Sequence, residues 1–117
     1  MNDIRTKEDI KNLIDHFYGR LLTDAELKHI FEPLDLSEHL PRVVHFWSFV
    51  LLDEEGYRTN VFDKHLHLPI KPHFWDKWLG HFTASVDELY RGELAEMAKQ
   101  RAISITYTFK NKFPGVK

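Results

Sequence analysis

Apolar side chains recur at steps of three and four along most of the chain. From Thr6 onward, Ile10, Leu13, Ile14, Phe17 and Leu21 share one face, the pattern of an amphipathic helix lying on a core. Thr6 followed by Asp9 predicts a capping box, with Asp in place of the usual Glu or Gln. Tyr18 lies on the flank of that stripe, so its ring can pack inward while its hydroxyl finds a partner. Asp24 to Phe31 predicts a short helix with Leu27, Ile30 and Phe31 inward, ended by Pro33, and a loop follows through Asp35. Asp35 or Ser37 then caps a helix in which His39, Val43, Phe46 and Val50 fall on one line, so that a histidine heads an apolar stripe. Pro41 is tolerated only in a first turn, which places the start of this helix close to residues 37 to 40.

Residues 53–60 are polar and read as a solvated loop, and Val61 to Leu68 has room for barely two turns before Pro69 and Pro72. From His73 to Tyr90 a long helix is expected, with Phe74, Trp75, Trp78, Phe82 and Leu89 on one broad face and Asp76, Lys77 and Asp87 pointing elsewhere. Gly92 interrupts it. Leu94, Met97, Ala98, Ala102, Ile105 and Phe109 then form the stripe of a last helix ending before Pro114, with Arg101 falling unexplained inside it. No strand-like alternation, repeat or low-complexity segment interrupts this series, so the fold class is all-α. At 117 residues with 43% hydrophobic content, the chain is expected to be one domain, residues 1–117, with one core.

Composition narrows the chemistry. A net charge of −2, from 16 basic and 18 acidic side chains mixed along the chain, offers no footprint for nucleic acid or an anionic membrane. The longest apolar run, Val43 to Leu52, contains His45 and Ser48 and falls well short of a membrane span. The N-terminus is polar and lacks the apolar stretch of a secretory signal, so a cytoplasmic protein is expected. With no cysteine, disulfides, thiolate metal sites and cysteine nucleophiles are excluded. None of the eight histidines has a histidine three or four residues away, so a helix-borne zinc site is disfavoured. His65 and His67 are two apart, which on a helix turns them to nearly opposite sides, so at most one of them faces a given pocket.

One inward histidine is what haem iron needs. A haem also needs a slot walled by aromatic and aliphatic side chains, for which Phe31, Val43, Phe46, Leu68 and Trp78 are candidates. Tyr18 and the Trp78 indole are donors that can reach a diatomic ligand on the open iron face. Each residue has a plain reading when taken singly. His65 can be a surface histidine, His39 a partly buried polar neighbour, Tyr18 packing, and the aromatic face around Trp75, Trp78 and Phe82 ordinary core.

In combination and order, these residues resemble a truncated haemoglobin of the third group. The resemblance rests on Phe17-Tyr18, Ile30-Phe31, His39 with Phe46-Trp47, the run Lys64-His65-Leu66-His67-Leu68-Pro69, and Trp78-Leu79. The run is the most specific part, with Trp78 thirteen residues after His65. Truncated globins of the other groups carry paired glycines after the early helices, and this chain has none. The resemblance implies a two-over-two helical sandwich around haem b, iron protoporphyrin IX. It makes His65 the proximal ligand, Tyr18 the distal hydroxyl, His39 the distal gate, Phe31 the haem-packing phenylalanine and Trp78 the distal indole. Lys64, Arg58, Lys71 and Arg101 are the cations available to the propionates. Pro41 departs from the family pattern and leaves open whether His39 swings outward or closes the pocket. The implied function is reversible binding of oxygen, nitric oxide and carbon monoxide, with nitric-oxide dioxygenase-like or peroxidase-like activity and a reductase as extensions. A cofactor-free helical interaction module is the competing reading, and a non-haem metal hydrolase a third.

Overall fold

The computed structural model describes residues 1–32, 34–53 and 72–112. Helix α1 spans Lys7–Thr23 behind Thr6. The Thr6 hydroxyl accepts the Asp9 N–H at 3.1 Å and the Asp9 carboxylate accepts the Thr6 N–H at 3.1 Å, so the shorter Asp closes the expected capping box. Helix α2 is a single turn, Lys28–Phe31, shorter than the helix expected from Asp24. The reason is local: the Asp24 carboxylate accepts the N–H groups of Glu26 and Leu27 at 2.9 and 3.2 Å, giving the backbone an alternative to helix.

Helix α3 spans Leu36–Leu52 and is capped by Asp35, whose carboxylate accepts the Ser37 N–H. Because the helix starts at Leu36, Pro41 lies beyond the first turn where it was expected. Having no N–H, it removes the helical bond to the Ser37 carbonyl, in the turn that carries His39. Helices α4, Pro72–Leu89, and α5, Glu93–Lys112, complete the described elements. All regular elements among the described residues are helical, and none is long and apolar enough to cross a membrane.

The helices form two layers of two. α1 packs on α3, α4 packs on α5, and α1 crosses α4 to join the layers. Aromatic rings make that junction. Phe17 of α1 meets Trp78 and Phe82 of α4 edge-on at 5.5 and 5.1 Å, and Trp47 of α3 stacks on Phe82 at 4.8 Å. In the lower layer Trp75 stacks on Phe109 at 4.2 Å. The buried line of α5 is Ala95, Ala98, Ala102, Thr106 and Phe109, while Met97, expected inward, is 44% exposed. Small side chains let the α5 backbone approach α4 closely, and that turns the bulkier Met97 outward. Arg101 is exposed as well.

The segment before α1 is tied to the start of α5. Gly92 has no side chain with which to cap α5, and Asp3 caps it from a distance, accepting the N–H groups of Leu94 and Ala95 at 2.9 and 2.8 Å. Gly92 adopts φ +145°, and a Cβ there would meet Asp3 at 2.5 Å, so backbone and contact both demand glycine. Burial raises the Asp3 pKa, but the N–H donors of Leu94, Ala95 and Ile4 outweigh it, and the carboxyl titrates below 3.8. A depressed folded pKa adds stability that is present above the unfolded value and is lost as pH falls through the folded one. Asp3→Ala is expected to cost about 1 kcal/mol of stability at neutral pH, read by thermal unfolding. The gap from wild type should close as pH drops below 3.8; an equal gap at acid pH would show that the charge is not involved.

Candidate functional site

Tyr18 follows Phe17 on α1, and the helical turn between them separates their tasks. Phe17 points to the α1–α4 junction, while Tyr18 points along it toward α2 and α3. Its ring meets Phe17 at 5.3 Å, Phe31 at 5.5 Å and the His39 imidazole at 5.6 Å. It is only 4% exposed, and its hydroxyl lies 2.8 Å from His39 Nε2. Burial pushes the Tyr18 hydroxyl above its ordinary range, so it keeps its proton. Either the hydroxyl donates to a bare Nε2 or it accepts from a protonated one, according to the imidazole tautomer.

His39, Val43, Phe46 and Val50 do share a line on α3, but that line is the edge of its buried face. Val43, Val44, Trp47 and Leu51 are buried, whereas His39, Phe46 and Val50 are half-buried. The histidine therefore heads an apolar border and not the centre of the core. Across from it, Trp78 is 8% exposed and packs on Phe17, Phe82 and Trp75. Phe74 meets Phe31 at 5.9 Å. The fold thus brings Tyr18, His39 and Phe31 into contact and joins Trp78 to them through Phe17. Val43 and Phe46 stand one and two turns beyond His39. His65, Lys64 and Leu68, with Arg58 and Lys71, lie outside the described residues.

A polar cluster on the α4 turns that flank Trp78 was not anticipated. The Asp24 carboxylate accepts from His81 Nε2 at 3.0 Å and from Lys77 Nζ at 3.0 Å. Glu26 accepts from Lys77 at 3.2 Å and pairs with His73. The hydrogen bond from His81, above all, holds the Asp24 carboxyl well below the usual carboxylate range; burial opposes this, and Lys77 and the N–H groups of Glu26 and Leu27 reinforce it. The only sequence signal was the four-residue spacing of His73, Lys77 and His81, which marks a face without naming its partner. No group of three metal-ligating side chains occurs among the described residues.

These residues suit a flat apolar cofactor with a polar reaction face. A buried hydroxyl with an imidazole partner, its ring packed against Phe17 and Phe31, is a donor placed in an apolar wall. Comparison with known proteins agrees. The family model of bacterial-like globins matches residues 2–110. The group 3 truncated hemoglobin ctb of Campylobacter jejuni is 32% identical over 112 residues, which cover 90% of this chain and 88% of that protein. The crystal structure of group III truncated hemoglobin from Campylobacter jejuni superposes with a TM-score of 0.87 at 30% identity, covering 100% of both chains.

The helical sandwich is therefore that of a truncated globin. The chain belongs to the bacterial-like globin family, within which it resembles the group III truncated haemoglobins. Membership implies a haem cofactor and a gaseous ligand.

The Tyr18 site has a measurable signature. A raised folded pKa adds stability that is complete below the unfolded value of 10.0 and is lost as pH rises through the folded one. In an alkaline titration of the folded protein, Tyr18→Phe should leave the phenolate absorbance that develops around pH 10.0 unchanged. Loss of one tyrosine's share of that absorbance would mean the hydroxyl is solvated.

Proposed function

We propose that this globin holds haem b on His65 and reversibly binds oxygen, nitric oxide and carbon monoxide beneath Tyr18, His39 and Trp78. The observation that carries the reading is the buried Tyr18 hydroxyl, 2.8 Å from His39 Nε2 within an aromatic wall. Haem, when bound, would supply an iron that takes an imidazole and a small ligand. The remaining work falls to the chain. His65 would be the ligand by its place in the Lys64-His65-Leu66-His67-Leu68-Pro69 run, and a carbonyl or carboxylate accepting from its second ring nitrogen would fix the tautomer. Phe31, Val43, Phe46 and Trp78, with Leu68, are the apolar residues that would wall the slot and exclude water, and Lys64 is the cation that would serve a propionate.

Tyr18 has a single proton to offer. In an apolar wall a hydrogen bond from it to a partially charged ligand is strong, because water does not compete. His39 does compete, since a hydroxyl that donates to His39 is not donating to the ligand. The pair therefore sets retention: with Nε2 bare, His39 turned inward occupies the hydroxyl proton and His39 turned away releases it, whereas a protonated Nε2 leaves that proton free for the ligand. Trp78 would supply a second N–H. Two donors favour holding a ligand over releasing it, which suits oxygen and nitric oxide chemistry or peroxide reduction better than oxygen transport, and such chemistry needs a reductase. A chain without cysteine accords with a reducing cytoplasm.

Purified protein should show an intense Soret band that His65→Ala abolishes; colourless protein would favour the cofactor-free interaction module. Tyr18→Phe should speed oxygen dissociation by about 10- to 100-fold, the worth of a hydrogen bond to a charged group. An unchanged dissociation rate would remove Tyr18 from the mechanism.

A further inference from the structure

Two parallel lines of side chains run along α4, each at four-residue steps. Phe74, Trp78 and Phe82 form the buried line. His73, Lys77 and His81 each precede one of them by one position, about 100° around the helix. Both lines grip the corner between α1 and α2. The aromatic line reaches Phe17 and Phe31, and the polar line reaches Asp24 and Glu26.

Asp24 is the pivot of the polar line. Its side chain is 12% exposed, and it receives His81, Lys77 and the N–H groups of Glu26 and Leu27. Four donors use the acceptor capacity of a carboxylate, so a shift of α4 along its axis leaves several of them unpaired. His81 depends on Asp24 in turn, because its Nδ1 is buried with no hydrogen-bond partner among the described residues and Nε2 is the atom that ties the ring. A second polar link between α1 and α4 joins Glu88 to His16 and Arg20, but Glu88 is 48% exposed, where ion pairs contribute little. On the polar line, the most enclosed tie that fixes the register of α4 against this corner is therefore Asp24.

Trp78 lies between Lys77 and His81 in sequence, and Tyr18 lies six residues before Asp24. We propose that Asp24 is a positioning residue for the ligand pocket: by holding His81 and Lys77 it sets the register of α4. It thereby sets the place of the Trp78 indole relative to the Tyr18 hydroxyl, and with it the retention of a diatomic ligand. This rests on the pocket assigned above.

The test uses Asp24→Asn in the haem-loaded protein. Asparagine still accepts the two backbone N–H groups, so the corner forms, but it loses the charge that holds Lys77 and His81. Oxygen dissociation should become about tenfold faster. In a Trp78→Phe background the same substitution should add nothing, because the residue through which it acts is gone. The Trp78 indole N–H resonance of the carbon monoxide complex, assigned by its absence in Trp78→Phe, should move in Asp24→Asn. A cap that acts only on stability leaves that resonance and the coupling untouched. An unmoved resonance, an unchanged rate, or equal effects with and without Trp78 would each overturn the proposal. These outcomes are separable from failure of the pocket itself, which Tyr18→Phe reports.

Discussion

The crossing of α1 over α4 is the contact on which the rest of the molecule depends. Phe17 lies at that crossing and touches Trp78 and Phe82, and Trp47 reaches the same point from α3 by stacking on Phe82. Three helices from two layers thus meet through one group of rings. Each such pair contributes about 0.5–1.5 kcal/mol beyond its buried area. With no disulfide available, this junction takes the place of a covalent staple. It also faces Tyr18 toward α3, because a residue next to Phe17 on a helix has to point about 100° away from it.

That geometry explains how a polar group comes to sit deep in an apolar molecule. Leaving a buried hydroxyl without a partner costs about 1–3 kcal/mol, and His39 removes that cost for Tyr18. His39 itself sits at the edge of the buried face of α3, half-exposed, in a turn that Pro41 deprives of one helical bond. The hydroxyl is held by the rigid core and its partner by a looser turn. An exchange of partners is therefore easier from the histidine side than from the tyrosine side.

The segment before α1 and the start of α5 are joined by the same economy. Asp3 caps α5 across the fold because Gly92, needed for its φ, has no side chain to do so. Asp24 in one corner and Asp3 in another each turn a carboxylate to backbone N–H groups that helices leave unpaired. Each then carries a second duty between elements distant in sequence.

Periodicity and capping residues alone determined the all-α class, the first helix with its box, the cap at Asp35, the break at Gly92 and the inward placement of Phe17, Phe31, Trp75, Trp78 and Phe82. These are properties of neighbours within about a turn, and spacing records them. The resemblance carried by Phe17-Tyr18, Phe46-Trp47 and the His65 run named the family. Tertiary structure alone decided which way α5 rolls, exposing Met97 and burying Ala95, because only the approach to α4 sets that angle. The shortening of α2 is local, since the Asp24 carboxylate turned to the N–H groups of Glu26 and Leu27, but tertiary structure turned that carboxylate to α4 as well. And it alone paired Tyr18 with His39, 21 residues apart, and Asp24 with His81, 57 apart. A helical period tells which face a side chain occupies, and only the packing of helices tells what that face meets.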